Sequence, residues 1–274
     1  MCLILLSYKQ FDDFPLIVAA NRDEYFERPS QVAHFWNDNP HILGGRDLKH
    51  SGSWIGISRN GRFAAVANFR EPSKRIAGAT SRGTLVSKYL MTDIKAEDYL
   101  KDLLDRLEQF DEFNLLVGDR DALYFLGSIE KQIRILDPGV YGISNGIFDS
   151  PWPKVIEGKD KLVKMMNISG QPDEASLFKL LADDTIPSDG ELPDTGVGLE
   201  WERKLGSIFV KADPFGTRCS TLLSIDLSGQ VKFSERNFDN IGNDLGTERY
   251  SFNLEWKCGA EGENRTRTSE ETGF

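Results

Sequence analysis

The chain opens with two apolar runs, residues 2–8 (CLILLSY) and 15–20 (PLIVAA), separated by the polar segment KQFDDF. Short runs rich in Ile, Leu and Val, so close together, predict the two buried strands of a hairpin. A second hairpin is predicted from 54–58 (WIGIS) and 62–68 (RFAAVAN), because Asn60-Gly61 between them is a strong turn signal. Ser81 then stands where it would cap a helix running to about Met91. Residues 95–109 place Tyr99, Leu100, Leu103, Leu104 and Leu107 on one helical face. Strands are predicted at 113–118, 122–127, 131–136 and 140–144, followed by helices from about 153 through Met166 and over 173–183. Residues 184–206, with Pro187, Pro193 and several glycines, predict a loop or flap, and strands return at 207–211, 219–225 and 231–236. Strands, a helix pair, strands, a helix pair and strands suit layered elements in one α+β domain, not a repeating β-α-β alternation.

Bulk properties exclude several classes. A formal net charge of -10 over 274 residues argues against a nucleic-acid partner, which needs a basic surface. Three cysteines, Cys2, Cys219 and Cys258, support neither a disulfide framework nor a zinc site. His34, His41 and His50 are too few for a His-rich metal site, and the first two read as loop residues around Trp36 and Pro40. No run approaches the length of a membrane span, and the opening apolar run is too short for a signal core, so a cytoplasmic location is the expectation. Residues 257–274 lack an apolar pattern and are expected to be a disordered tail behind a single domain over 1–256. The sequence leaves the oligomeric state open.

Chemistry converges on one place. Cys2 directly follows Met1, and removal of Met1 would give a thiol and a free α-amine on one residue, a nucleophile with its own base. The structural alternative is a small apolar strand residue. The predicted second strand ends at Ala20 and is followed at once by Asn21-Arg22-Asp23-Glu24. An antiparallel hairpin brings its first and last residues together, so this polar cluster becomes a neighbour of Cys2. An arginine there would favour the thiolate, and a carboxylate would orient the α-ammonium group.

These residues carry a resemblance. CLILL with PLIVAANRDEYFERPS resembles the start of the NRDE family, of the transport-and-Golgi-organisation type. The likeness continues in order through GGRDLKHSGSWIGISRNGRFAAVANFRE, ATSRGTLVSKYL, FNLLVGD, YGISNGIFDSPWPKV and FGTRCSTLLSID, to about Trp256. The family is similar to the N-terminal nucleophile hydrolases, which implies a four-layer α-β-β-α sandwich. It also implies Cys2 as nucleophile, with Arg22 and Asp23 beside it. Either Asp23 or Glu24 would meet the amine. Asn68 and Asn145 become the candidate oxyanion donors, and Arg218 a late arginine closing the site. Asn21, Glu24, Arg70 and Arg82 are the candidate ligand-binding residues. Arg22, Arg70, Arg82 and Arg218 together would make a local anion site.

The reading that follows is an amidohydrolase or acyl-transfer enzyme. It would act on a small non-peptide amide or acyl thioester through Cys2 and need no cofactor. The alternative implied by the family is a non-catalytic carrier of haem or of an acyl-coenzyme A or lipid. A trafficking or scaffold role ranks below both, because the chain lacks coiled-coil heptads and low-complexity arms.

Overall fold

The computed structural model describes residues 3–71 and 76–255. The expectations for Cys2, Cys258 and the tail at 257–274 therefore lie outside the described residues.

The first hairpin forms as β1 (Leu3–Phe11) and β2 (Phe14–Tyr25), in a register that pairs Leu3 with Asn21 and Ile4 with Ala20. It is central to a seven-stranded antiparallel sheet with β10 (Gly139–Ile143), β11 (Lys211–Ala212), β12 (Phe215–Ile225), β13 (Gln230–Phe238) and β14 (Asp244–Asn253). The second sheet is an antiparallel meander of β3 (Ser30–Trp36), β4 (Asn39–Asp47), β5 (Ile55–Ser58), β6 (Phe63–Asn68), β7 (Phe113–Gly118), β8 (Leu123–Gly127) and β9 (Gln132–Ile135). The Asn60-Gly61 turn joins β5 to β6 as expected, with Gly61 at φ +84°, a conformation that costs glycine least.

Side-chain alternation divides each sheet between two cores. Ile4, Leu6, Val18 and Ala20 pack with Ile55, Ile57, Phe63 and Phe125 between the sheets. Leu3, Leu5, Ile17 and Ala19 face outward onto helices α3 (Pro153–Ser169) and α4 (Glu174–Leu181). The outer face of the second sheet buries Trp36, Ile42, Leu115 and Val117 against α1 (Gly83–Met91) and α2 (Ala96–Leu104). The result is the four-layer α-β-β-α sandwich expected of the N-terminal nucleophile hydrolase type. Among the described residues no helix is long and apolar enough to cross a membrane.

Several expectations are corrected. β2 does not stop at Ala20 but runs on through Asn21–Tyr25, because Asn21, Arg22 and Asp23 are buried and partnered inside the fold. His34 and His41 lie in strands β3 and β4, not in a loop. Ser81 does not cap α1; the cap position is Arg82, and the Ser81 carbonyl accepts from the Thr84 hydroxyl at 2.7 Å. The flap contains a helix, α5 (Leu199–Gly206). Of the strand expected at 207–211 only Lys211 is in a strand, and β14 was not foreseen, since its mostly exposed face lacks an apolar alternation.

Asn21 fastens the outer helical layer to the sheet. Its amide nitrogen donates to the carbonyls of Leu181 and Ile208, both at 2.8 Å, and its oxygen accepts from the Ser220 hydroxyl at 2.6 Å. All of this is buried. Asn21→Leu fills the same volume but strands those partners at about 1–3 kcal/mol per buried group. The expected outcome is a lower urea midpoint with an unchanged urea dependence.

Candidate active site

The end of β2 crosses from one core to the other residue by residue. Ala20 faces the second sheet, so Arg22 and Glu24 follow it there, while Asn21 and Asp23 face the helices. Arg22 is thus a cation almost fully enclosed between two sheets, at 4% exposure. Its guanidinium lies 4.3 Å from the centre of the Trp54 ring and 3.9 Å from the Asp47 carboxylate. Its Nη1 is buried without a hydrogen-bond partner among the described residues.

The GGRD and SGSW segments explain themselves around this cation. A methyl on Gly45 would stand 2.1 Å from the Trp54 ring, so only glycine lets that ring lie flat beneath Arg22. Asp47 ends β4 and accepts from the Lys49 and His50 amides at 3.1 and 3.0 Å. It also forms a close ion pair with Arg28, which reaches Glu24 at 3.8 Å. Burial alone would raise the Asp47 carboxyl, but Arg28, the His50 amide and Arg22 outweigh it and hold the group below its ordinary range.

Two adjoining chambers open here. The inner, about 190 Å³, is lined by Arg22, Asp47, Trp54, Asn68 and the start of α1 at Ser81–Gly83. The outer, about 570 Å³, is lined by Asn68, Arg70, Asn145, Trp201, Leu205 and Phe215, among others. Glu24, Arg28, Asn68, Arg82 and Asp111 belong to both. The outer volume is within the usual range of a small-molecule pocket.

The two asparagines play different parts. Asn145 is buried, and its amide donates to the Asn68 carbonyl at 2.8 Å while its oxygen accepts from Arg70 at 3.1 Å. One N–H of Asn145 is therefore already engaged in holding the end of β6. The Asn68 side-chain amide lines both chambers and makes no hydrogen bond among the described residues. Asn68 is the freer donor, and Asn145 is its brace.

Arg70 continues the network outward to Glu202 of α5 at 2.7 Å, and the other Glu202 oxygen accepts from the Thr195 amide at 2.8 Å and hydroxyl at 2.6 Å. Arg82 lines both chambers and donates to the Glu112 carbonyl at 3.1 Å. Asp23 accepts from the Thr217 hydroxyl at 2.6 Å on the helix side. The structure does not bring every candidate together. Asn21 is committed to the helical layer and is corrected from a ligand-binding to a structural residue. Arg218 sits in a bulge of β12, donates to the Tyr25 and Arg28 carbonyls at 2.9 and 3.1 Å, and lines neither chamber.

Asp47, Glu202 and Glu235 were missed by sequence reasoning. Glu235, fully buried on β13, accepts from the Ala33 amide at 2.8 Å and the Thr221 hydroxyl at 3.1 Å. Burial raises its carboxyl, and burial also pushes the adjacent Cys219 thiol well up, which leaves Cys219 inert. The Arg–Asp of GGRD was a usable signal for Asp47; nothing local marks Glu202 or Glu235.

The chain matches the family described as "Transport and Golgi organisation 2" over residues 1–240. The Transport and Golgi organization protein 2 homolog of Bos taurus is 34% identical over 266 residues, which is 89% of this chain and 95% of the relative. The Homo sapiens homolog is 33% identical over 278 residues, 93% of this chain and 100% of the relative. Among solved structures, a conjugated bile acid hydrolase from Clostridium perfringens is similar at TM-score 0.47 and 11% identity, covering 94% of this chain and 99% of that one.

Two outcomes follow from the geometry. Because the folded Asp47 carboxyl lies below its ordinary value near ~3.9, its stabilisation is present above that range and lost as pH falls through the depressed value. Acid unfolding of Asp47→Asn, followed by circular dichroism, should therefore be less steep below about pH 4 than that of the parent. Glu202→Ala leaves the partly buried Arg70 without its carboxylate partner, a loss on the order of 1–3 kcal/mol. It should speed tryptic cleavage at Arg203 and Lys204 well before the sheets unfold, read by mass spectrometry.

Proposed function

The chain belongs to the Transport and Golgi organisation 2 family, and from that premise we propose that it is an N-terminal cysteine hydrolase or acyl-transfer enzyme working through Cys2. The single observation that carries the reading is the buried Arg22 Nη1, which has no hydrogen-bond partner among the described residues. A cation taken out of water at this cost calls for an anion beside it. β1 begins at Leu3, which pairs with Asn21, so the first described residue of the chain lies directly beside the Arg22–Asp23 cluster.

In this mechanism Arg22 stabilises the Cys2 thiolate. Loss of Met1 leaves the α-ammonium group beside the Asp23 carboxylate. The thiolate attacks the carbonyl carbon of an amide or thioester, and negative charge moves to the carbonyl oxygen. Asn68 donates to that oxygen, with Asn145 holding its strand end in place. Collapse breaks the C–N or C–S bond, and the α-ammonium gives its proton to the leaving group. Water or an amine then clears the acyl-enzyme.

A second reading, a carrier of haem or of an acyl-coenzyme A or lipid, draws support from the size of the outer chamber, about 570 Å³, and from the apolar side chains Val197, Trp201, Leu205 and Phe215 in its lining. Saturable binding without product, retained in Cys2→Ala, would select it.

The test is intact-mass analysis after brief exposure to a limiting thiol alkylating agent. The expected result is absence of Met1 and first labelling at Cys2, with Cys219 silent until unfolding. Arg22→Gln should slow Cys2 labelling about tenfold or more by raising the thiol pKa. Retained Met1, or Cys2 labelling no faster than Cys258, would overturn the mechanism.

A further inference from the structure

Helix α5 buries only one of its residues, and that residue is an acid, Glu202, at 3% exposure. A short helix normally docks by an apolar stripe. Here Leu199 and Trp201 remain exposed, and Val197, Trp201 and Leu205 line the outer chamber. The segment before it holds two glycines at positive φ, Gly196 at +81° and Gly198 at +85°. Its hold on the body is largely polar. Glu202 pairs with Arg70, and the Lys154 ammonium donates to the Leu205 carbonyl at 2.8 Å. The helix is thus positioned by a buried charge, while Trp201 and Leu205 line the chamber rather than a core.

Those side chains share the chamber with charged ones. Arg28, Arg82, Asp111 and Glu112 line it together with Asn68. An acyl group whose carbonyl reached Asn68 would find apolar contact in the direction of α5. The same helix is wired to the carbonyl end. Glu202 holds Arg70, Arg70 holds the Asn145 oxygen, and Asn145 holds the Asn68 carbonyl.

We propose that α5 is the specificity wall of the site. Val197, Trp201 and Leu205 select substrates with an extended apolar acyl group, and Glu202 is a positioning residue that sets the wall against the Asn68 donor. The proposal rests on Cys2 as nucleophile, and its test separates the two.

The probes are 4-nitrophenyl acetate, butyrate and octanoate, presented to the full chain. Cys2 Sγ attacks the ester carbonyl, the C–O bond breaks, 4-nitrophenolate leaves, and the acyl group remains as a thioester seen by intact mass. The expected result is acylation of Cys2 about tenfold or more faster by octanoate than by acetate, the scale expected for added methylenes in an apolar pocket. Trp201→Ser should flatten that preference, bringing the octanoate-to-acetate rate ratio close to one. Trp201→Phe, which keeps an apolar ring, should retain it. Cys2 acylation at equal rates for all three esters, or a preference untouched by Trp201→Ser, overturns the wall and leaves the nucleophile standing. No acylation of Cys2 by any ester overturns both.

Discussion

Everything at this site is arranged around a guanidinium that has been taken out of water. A lone buried cation is among the costliest objects a protein can hold, and Arg22 persists only because its surroundings are built for it. Trp54 offers its ring face from the opposite sheet, and Gly45 makes room for that ring. Asp47 supplies charge at 3.9 Å, but Arg28 has the closer claim on it. On one side of Arg22, Nη1 has no hydrogen-bond partner among the described residues. The same field reaches the Cys219 thiol and the Glu235 carboxyl behind it. A neutral side chain at position 22 would remove the reason for most of this polar interior.

How much of this was legible follows from what local pattern encodes. β1, β5, β6 and the long helices announce themselves through apolar runs, turn glycines and helical periodicity, since their burial is apolar. β2 was cut short at Ala20 because four polar residues in a row look like exposed chain. Inside the fold Asn21, Arg22 and Asp23 are all buried, each supported by residues far away in sequence. α5 was hidden for the related reason that its inward residue is Glu202. β14 was hidden by its exposure: it is an edge strand whose Tyr250 and Phe252 only partly reach the inter-sheet core.

The two asparagines differ in what their surroundings leave free. Both line the outer chamber, but Asn145 is engaged at both ends of its amide. The sequence contains no sign of that division of labour. It arises from the geometry of a turn after β10 meeting the end of β6. A line of polar contacts then carries the order of that turn to Arg70 and to a surface helix.

The two sheets also differ in when they can exist. The meander from β3 to β9 pairs neighbours in sequence and draws on residues 30–135 alone. The other sheet cannot close until β2 meets β12, and the bonds that seat Asp23 and Asn21 span 194 and 199 residues. Pairings of such range are late events in folding, because loop closure precedes their reward. On the ribosome, the polar cluster near the chain's start waits for the last quarter of the polypeptide before its neighbours arrive. Its chemistry is thereby tied to completion of synthesis: a chain released early can offer Arg22 the Trp54 ring and Asp47, but lacks the Thr217 and Ser220 hydroxyls that seat Asp23 and Asn21.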